Sequence, residues 1–256
     1  MIKDENVAYW TARAATYSEV NKDELANGQQ GVWSRELRDQ IADALPWTRE
    51  DPAGARVLEV GCGPGFLAIV LARAGFAVTA VDYTPAMLEA ARANAGKLAG
   101  RIDFRQADAE ALDLPDASFD VIVSRNLTWD LPHPRAAYAS WLRVLRPGGV
   151  LLVYDANWYG HLFDPEARAA YEADRSATAR AGVKDEYAGT DISAMERIAR
   201  RMPLSPVARP AWDAKTLAQL GAREVRCDER AWERVFSAAE RVNYASTPMF
   251  LVRAVR

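Results

Sequence analysis

The stretch VLEVGCGPGF, Val57 to Phe66, constrains the fold more than any other part of the chain. It reads as a buried strand, then glycines at 61, 63 and 65, then the start of an apolar helix. Glycine loses more conformational freedom on folding than any other residue, so three in one short turn imply a backbone that something approaches closely. The segments that follow alternate. FLAIVLARAG (66–75) is a helical pattern ending at Gly75, and FAVTAVD (76–82) is a second strand. TPAMLEAARANA (84–95) opens with Thr84 as the expected N-cap and Pro85 in the first turn. RIDFRQAD (101–108) alternates in polarity and is expected near a sheet edge, whereas the continuous apolar run of FDVIVSR (119–125) suits a buried parallel strand. PRAAYASWLRVL (134–145) is a helix stopped by RPGG, and GVLLVYDA (149–156) is a fifth strand. Strands alternating with helices of this length give βαβ units and a mostly parallel sheet covered on both faces.

Outside that core the rhythm changes. The first fifty residues read as helices off the sheet. Residues 157–211 read as polar helices followed by a proline-rich stretch, without a strand. A helix at 213–221, a strand at 222–228 and a last strand at 247–255 complete the pattern. The expected architecture is an α/β, Rossmann-like, doubly wound, mostly parallel seven-stranded sheet in a single domain of residues 1–256. Its parts are an N-terminal helical cap (1–50), a cofactor-binding core (51–156), a helical lid insertion (157–211) and a C-terminal helix with strands (212–256).

Half the residues are hydrophobic, 26% are charged, and the net charge is −3. That balance shows no global attraction for nucleic acid or anionic membrane, and Arg197, Arg200 and Arg201 read as a solvated helix face. Cys62 and Cys227 have no CxxC spacing, which excludes a cysteine-built zinc site; a disulfide between them stays open, with a reduced cytoplasmic setting the simpler reading. The opening MIKDENVAYW is polar, without an apolar signal core, and no stretch reaches the roughly 20 apolar residues of a membrane helix.

The glycine spacing selects among ligands. The dinucleotide fingerprint G-x-G-x-x-G requires glycine at 66, where the chain has Phe, and no P-loop lysine follows. Asp82 ends the second strand, 21 residues after Gly61, where a carboxylate can accept from both hydroxyls of a ribose. Glu59, Gly61, Gly63 and Gly65 form E-x-G-x-G-x-G, which resembles the first motif of class I S-adenosylmethionine-dependent methyltransferases. DYTPAMLEAA resembles the second motif of that family, Asp108-Ala109-Glu110 the third, FDVIVSRNLTWDL the fourth, and VLRPGGVLLVYD the entry to the fifth strand in enzymes of the ubiquinone-biosynthesis type. The resemblance covers about residues 55–155. It implies S-adenosyl-L-methionine as cofactor, with Asp82 on the ribose, Tyr83 and Met87 packed on the adenine, and Asp108 on the adenine amine. It extends the cofactor set to Glu59, Gly61, Cys62, Gly63, Gly65, Ala109, Glu110, Arg125 and Asn126, with Tyr17 and Trp33 from the N-terminal helices. Glu59 has a structural alternative, holding the glycine loop, and Cys62 one as a small apolar filler.

In an open parallel sheet, ligands bind beyond the carboxyl ends of the strands. The loops there are 61–66, 82–85, 108–112, 124–133 and 155–161. SRNLTWDLPHP and DANWYGHLF are rich in polar and aromatic side chains, and Tyr9, Trp10, Tyr17 and Trp33 are expected to line the same cleft from above. The catalytic candidates are His161, His133, Asp130 and Tyr159. Histidine is the usual base where an acceptor is protonated at neutral pH. The aromatics serve as a water-excluding wall, as a cationic cage or as ordinary core; Tyr138 and Trp141 are assigned to packing. No metal-ligand spacing is present. The expected function is metal-independent methyl transfer to the O, N, S or C atom of a small molecule by in-line displacement, in a monomer or homodimer. The alternatives are a methyltransferase of RNA or protein and a non-catalytic cofactor-binding protein on the same fold.

Overall fold

The computed structural model describes residues 2–185, 187 and 190–256. Two helices come first, α1 (Ile2–Ala26) and α2 (Gln29–Ala44). The core then runs β1 (Arg56–Val60), α3 (Phe66–Arg73), β2 (Ala77–Asp82), α4 (Pro85–Ala95), β3 (Ile102–Gln106), β4 (Phe119–Arg125), α5 (Pro134–Val144) and β5 (Leu145–Asp155). The insertion carries α6 (Pro165–Ala181) and α7 (Ile192–Ala199). After it come α8 (Ala211–Gln219), β6 (Arg223–Asp228), the short α9 (Trp232–Val235) and α10 (Ala238–Asn243), and β7 (Phe250–Val255).

The seven strands lie in the order β3-β2-β1-β4-β5-β7-β6. All neighbours are parallel except β7, which runs antiparallel to both β5 and β6. The polarity alternation of 101–108 is explained by position, since β3 is an edge strand with burial only at Ile102 and Phe104. β4 is central and buried over six of its seven residues. The chain leaves β1 toward β2 on one side and later toward β4 on the other, so the order reverses at β1, and a crevice opens beyond the ends of β1 and β4.

Local chemistry sets the elements around that crevice. Every residue of α3 from Phe66 to Ala72 is buried, which drives it flat onto the sheet at about 1.5–3 kcal/mol per large side chain. Gly65 precedes it with φ +89°, and a Cβ there would stand 3.0 Å from the Cβ of Ala91 on α4. Glycine is needed both for the turn and for the close approach of the two helices. Thr84 occupies the N-cap of α4 as expected, but its side chain makes no cap bond; its backbone N–H donates instead to Asp82 Oδ1 at 2.8 Å. Both cysteines are free, Cys62 buried and Cys227 exposed.

A buried ionic cluster joins the insertion to the sheet. Arg209 donates to Asp155 Oδ2 from Nη1 (2.7 Å) and to Asp213 from Nε (2.9 Å) and Nη2 (2.7 Å). Tyr138 donates its hydroxyl to Asp213 Oδ1, and all three charged side chains are essentially inaccessible. Removing one partner of such a group leaves uncompensated buried charge. Arg209→Met is expected to cost about 3–5 kcal/mol, read from the urea midpoint. Arg209→Lys should recover only part, because one ammonium cannot span both carboxylates. A loss below about 1 kcal/mol in the methionine variant would show that the cluster is dispensable.

Candidate active site

One cavity lies at the carboxyl ends of the strands, between α1, the strand-end loops and the insertion. Its floor is the turn after β1. Gly61 and Cys62 donate to the carbonyl of Val81, and Gly63 N–H donates to Asp82 Oδ2 at 2.9 Å. A Cβ at Gly61 would fall 2.6 Å from the side chain of Leu127, so the turn and the loop after β4 interlock here. Asp82 thus sits at the end of β2 with one oxygen on Gly63 and the other on Thr84. Burial raises its pKa against those two hydrogen bonds. Each carboxylate oxygen keeps a lone pair for a ligand hydroxyl.

On one side of Asp82 lie Tyr83, Met87, Asp108, Ala109 and Glu110. Met87 is buried and Tyr83 is 42% exposed, giving an apolar surface that a planar base can cover. Lys3 of α1 closes this end. Its ammonium stands 4.8 Å from the centroid of the Tyr83 ring and pairs with Asp108 (2.5 Å) and Glu110 (3.5 Å). On the other side, Asn126 has φ +57° and a buried Oδ1 without a partner. A non-glycine residue held in that conformation beside a cavity is strain of the kind found at ligand clamps. Arg125 lines the same wall but is held: it bonds Glu24 of α1 through both guanidinium nitrogens (2.8 and 3.1 Å) and lies over the rings of Phe66 and Trp33.

The far end is aromatic. Tyr9 and Trp10 from α1 meet edge to face at 5.3 Å, Trp129 and Tyr159 stand 4.8 Å apart, and His161 stacks on Tyr171 at 4.1 Å. Asp130 sits among them. Its Oδ2 accepts from Trp10 Nε1 at 2.6 Å, its backbone carbonyl accepts from Asn6, and its Oδ1 is buried without a partner. Burial pushes the Asp130 carboxyl up to about 7, opposed by the bond from the Trp10 indole to Oδ2. His161 is buried too; burial and the neighbouring Arg168 lower its pKa, so it is a neutral ring at pH 7.

The structure gathers fourteen of the sequence candidates on this cavity: Tyr17, Gly61, Gly63, Asp82, Tyr83, Met87, Asp108, Ala109, Glu110, Arg125, Asn126, Asp130, Tyr159 and His161. It places five elsewhere. His133 is exposed at the N-cap of α5, outside the cavity lining, where its amide donates to Glu110 Oε1. Trp33 is 1% exposed in the core against Phe66 and Tyr154, beneath Arg125 rather than above the cleft. Cys62 points into the same core, as the apolar-filler alternative had it, and Gly65 serves helix packing. Glu59 is buried at the end of β1 with Oε2 unpartnered, behind the glycine turn. Lys3, Asn6 and Glu24 were not singled out in the sequence. They lie in a polar helix whose only readable signal is its spaced aromatics, and their partners are about 100 or more residues away. Among the described residues no group of His, Cys, Asp and Glu could hold a metal ion, and no helix is long and apolar enough to cross a membrane.

Comparison with known proteins agrees with this geometry. Residues 58–153 match the family described as methyltransferase domain. The ubiquinone biosynthesis O-methyltransferase of Xanthomonas axonopodis pv. citri is 37% identical over 110 residues, 43% of this chain and 46% of that protein. The protein of the same name from Xylella fastidiosa (strain M23) is 34% identical over 149 residues, 55% of this chain and 61% of that one. The chain spans about half the length of the curated relatives it matches. A TehB-like S-adenosylmethionine-dependent methyltransferase from Corynebacterium glutamicum shares the fold across nearly the whole chain, with a TM-score of 0.57, 16% identity and coverage of 96% and 98%. Residues 58–153 thus match a methyltransferase domain, and the solved structures that share the fold include an S-adenosylmethionine-dependent methyltransferase.

Burial raises the Glu59 carboxyl to about 8 despite the opposing charge of Arg125. The folded chain therefore holds a proton there that an unfolded glutamate releases near pH 4.3. This contribution to stability is complete below about pH 4 and is lost as pH rises through 8. Glu59→Gln should lose less stability than the unsubstituted chain between pH 5 and 8.5, by up to about 1.4 kcal/mol per pH unit. Parallel curves of melting temperature against pH would contradict the assignment.

Proposed function

We propose that the chain binds S-adenosylmethionine along the Asp82 side of the cavity and transfers its methyl group to a small molecule held at the aromatic end. The observation that carries this reading is one continuous cavity with two chemically different halves. One half offers a ribose-spaced carboxylate and an apolar surface ending at an acid pair; the other offers rings and a buried carboxylate. S-Adenosylmethionine matches the first half: Asp82 accepts from the ribose, Tyr83 and Met87 cover the adenine, Asp108 takes its amine, and the strained Asn126 faces the amino-acid portion. When bound, this molecule supplies the methyl group on a sulfonium.

What the protein contributes is position and dryness. In-line displacement needs reacting atoms held about 3–3.5 Å apart, which a walled cavity achieves by orientation. α1, tied down at Lys3, Trp10 and Glu24, and the insertion, tied down at Arg209, act as the cap and lid that exclude water. Asp130 is the proton acceptor in this reading, since it lines the cavity and its Oδ1 has no partner in the protein; His161 and Tyr159 shape the wall. The low net charge and the enclosed aromatic end favour a small acceptor over RNA or protein in a cytoplasmic enzyme that works as a monomer or homodimer. The curated relatives named above act on oxygen by name, but the matched family segment ends at residue 153, before the insertion that supplies Tyr159, His161 and Tyr171.

Titration calorimetry with S-adenosylhomocysteine tests the donor half. The chain should bind it, and Asp82→Ala should weaken binding by about 100-fold, as expected for two lost charge-assisted hydrogen bonds. Absence of heat with both S-adenosylmethionine and S-adenosylhomocysteine would overturn the proposal.

A further inference from the structure

We propose that the methyl acceptor is a small amine, which enters the aromatic end of the cavity as an ammonium ion and passes a proton to Asp130 Oδ1. The inference rests on the methyl-transfer reading above and names the substrate class of that site. Three observations carry it.

The first is the wall. Tyr9, Trp10, Trp129, Tyr159 and Tyr171 surround the space, and the negative faces of tyrosine and tryptophan rings attract a desolvated cation by about 2 kcal/mol or more. The second is the orphan oxygen. Asp130 is 5% exposed, and its Oδ2 is fixed by the Trp10 indole, while Oδ1 is buried with no partner. A buried acceptor left unmade costs about 1–3 kcal/mol, and a ligand N–H would satisfy it.

The third is the balance of charge on every element that faces this space. From α1, Lys3 is answered by Asp108 and Glu110, whereas Arg13 bonds the Thr16 hydroxyl, lies over the Tyr17 ring and also acts on Tyr9, with no carboxylate partner among the described residues. From the loop after β4, Arg125 is answered by Glu24. The insertion brings His161 and Glu196, the latter shared with Arg168 and Arg200, and Asp191 caps α7 near Tyr9. Asp155 lies behind Asp130. Among the described residues, the acids at this end, Asp130, Asp191 and Glu196, outnumber its one cation without a carboxylate partner, Arg13. A phenolate would add negative charge beside Asp130, whereas an ammonium neutralises it.

The chemistry balances. The ammonium gives one N–H proton to Asp130 Oδ1 and regains its lone pair. The nitrogen uses that pair to form the new N–C bond while the C–S bond breaks, its electrons remaining on a now neutral sulfur. The product is again an ammonium, and Asp130 releases its proton to water when the cavity opens.

Three ligands on one scaffold test the inference: phenethylamine, 2-phenylethanol and phenylacetate, each titrated calorimetrically into the full chain loaded with S-adenosylhomocysteine. The ammonium should bind at least about tenfold more tightly than the alcohol, and the anion most weakly. Asp130→Asn should erase the preference for the ammonium while leaving S-adenosylhomocysteine affinity unchanged, which also shows that the variant is folded. Trp10→Phe, which keeps a ring but removes the indole donor, should reduce the preference. If S-adenosylhomocysteine binds and the alcohol or the anion equals or exceeds the amine, the amine assignment is overturned. If S-adenosylhomocysteine does not bind, the methyl-transfer reading fails, and this inference with it.

Discussion

The carboxylate of Asp155, at the end of β5, is the point on which the acceptor half depends. It accepts from the Thr128 hydroxyl, the Trp129 amide, the Trp158 indole, the Ala156 amide and the Arg209 guanidinium, with no exposure to water. A buried carboxylate is costly unless every lone pair is engaged. Satisfying this one pulls together three segments far apart in sequence: the loop after β4, the loop after β5 and the end of the insertion. Trp129 and Asp130 owe their positions to that convergence, so the aromatic end is built outward from a single buried charge.

The donor half is built differently. There the backbone does the work: a glycine turn stacked on the carbonyl of Val81 and locked by Asp82, with Gly61 fitted against Leu127. The two halves are joined by α1, whose Lys3 reaches the acid pair, whose Trp10 holds Asp130 and whose Glu24 holds Arg125. Besides these ion pairs and hydrogen bonds, α1 packs Ile2, Tyr9 and Trp10 against the apolar cluster that includes Trp129, Met195 and Ile198.

The half of the cavity proposed for the donor was legible in the sequence because its residues are close together along the chain. Glycines at 61, 63 and 65 and an acid at 82 sit on a strand–turn–helix whose periodicity is plain, and the edge position of β3 showed in its polarity. The acceptor half was not, for a physical reason. Asp130 differs from a surface acid only through Trp10 and Asn6, about 120 residues away, and Arg209 looks like one more arginine in a proline-rich stretch. His133 and Trp33 mislead in opposite directions. One is a histidine in a strand-end loop that lies exposed at a helix N-cap, the other an aromatic on a cap helix that packs inward. Residue type and loop position cannot separate these cases, because burial is decided by which helix lands on them.

The central claim is that one cavity presents a methyl donor to an aromatic, acid-bearing acceptor pocket. A crystal structure of the chain with S-adenosylhomocysteine tests it most directly. The account predicts ribose hydroxyls on Asp82, adenine against Tyr83 and Met87, and the sulfur opening toward Asp130, Trp129 and Tyr159. A nucleoside bound elsewhere, or a sulfur facing away from Asp130, would contradict it.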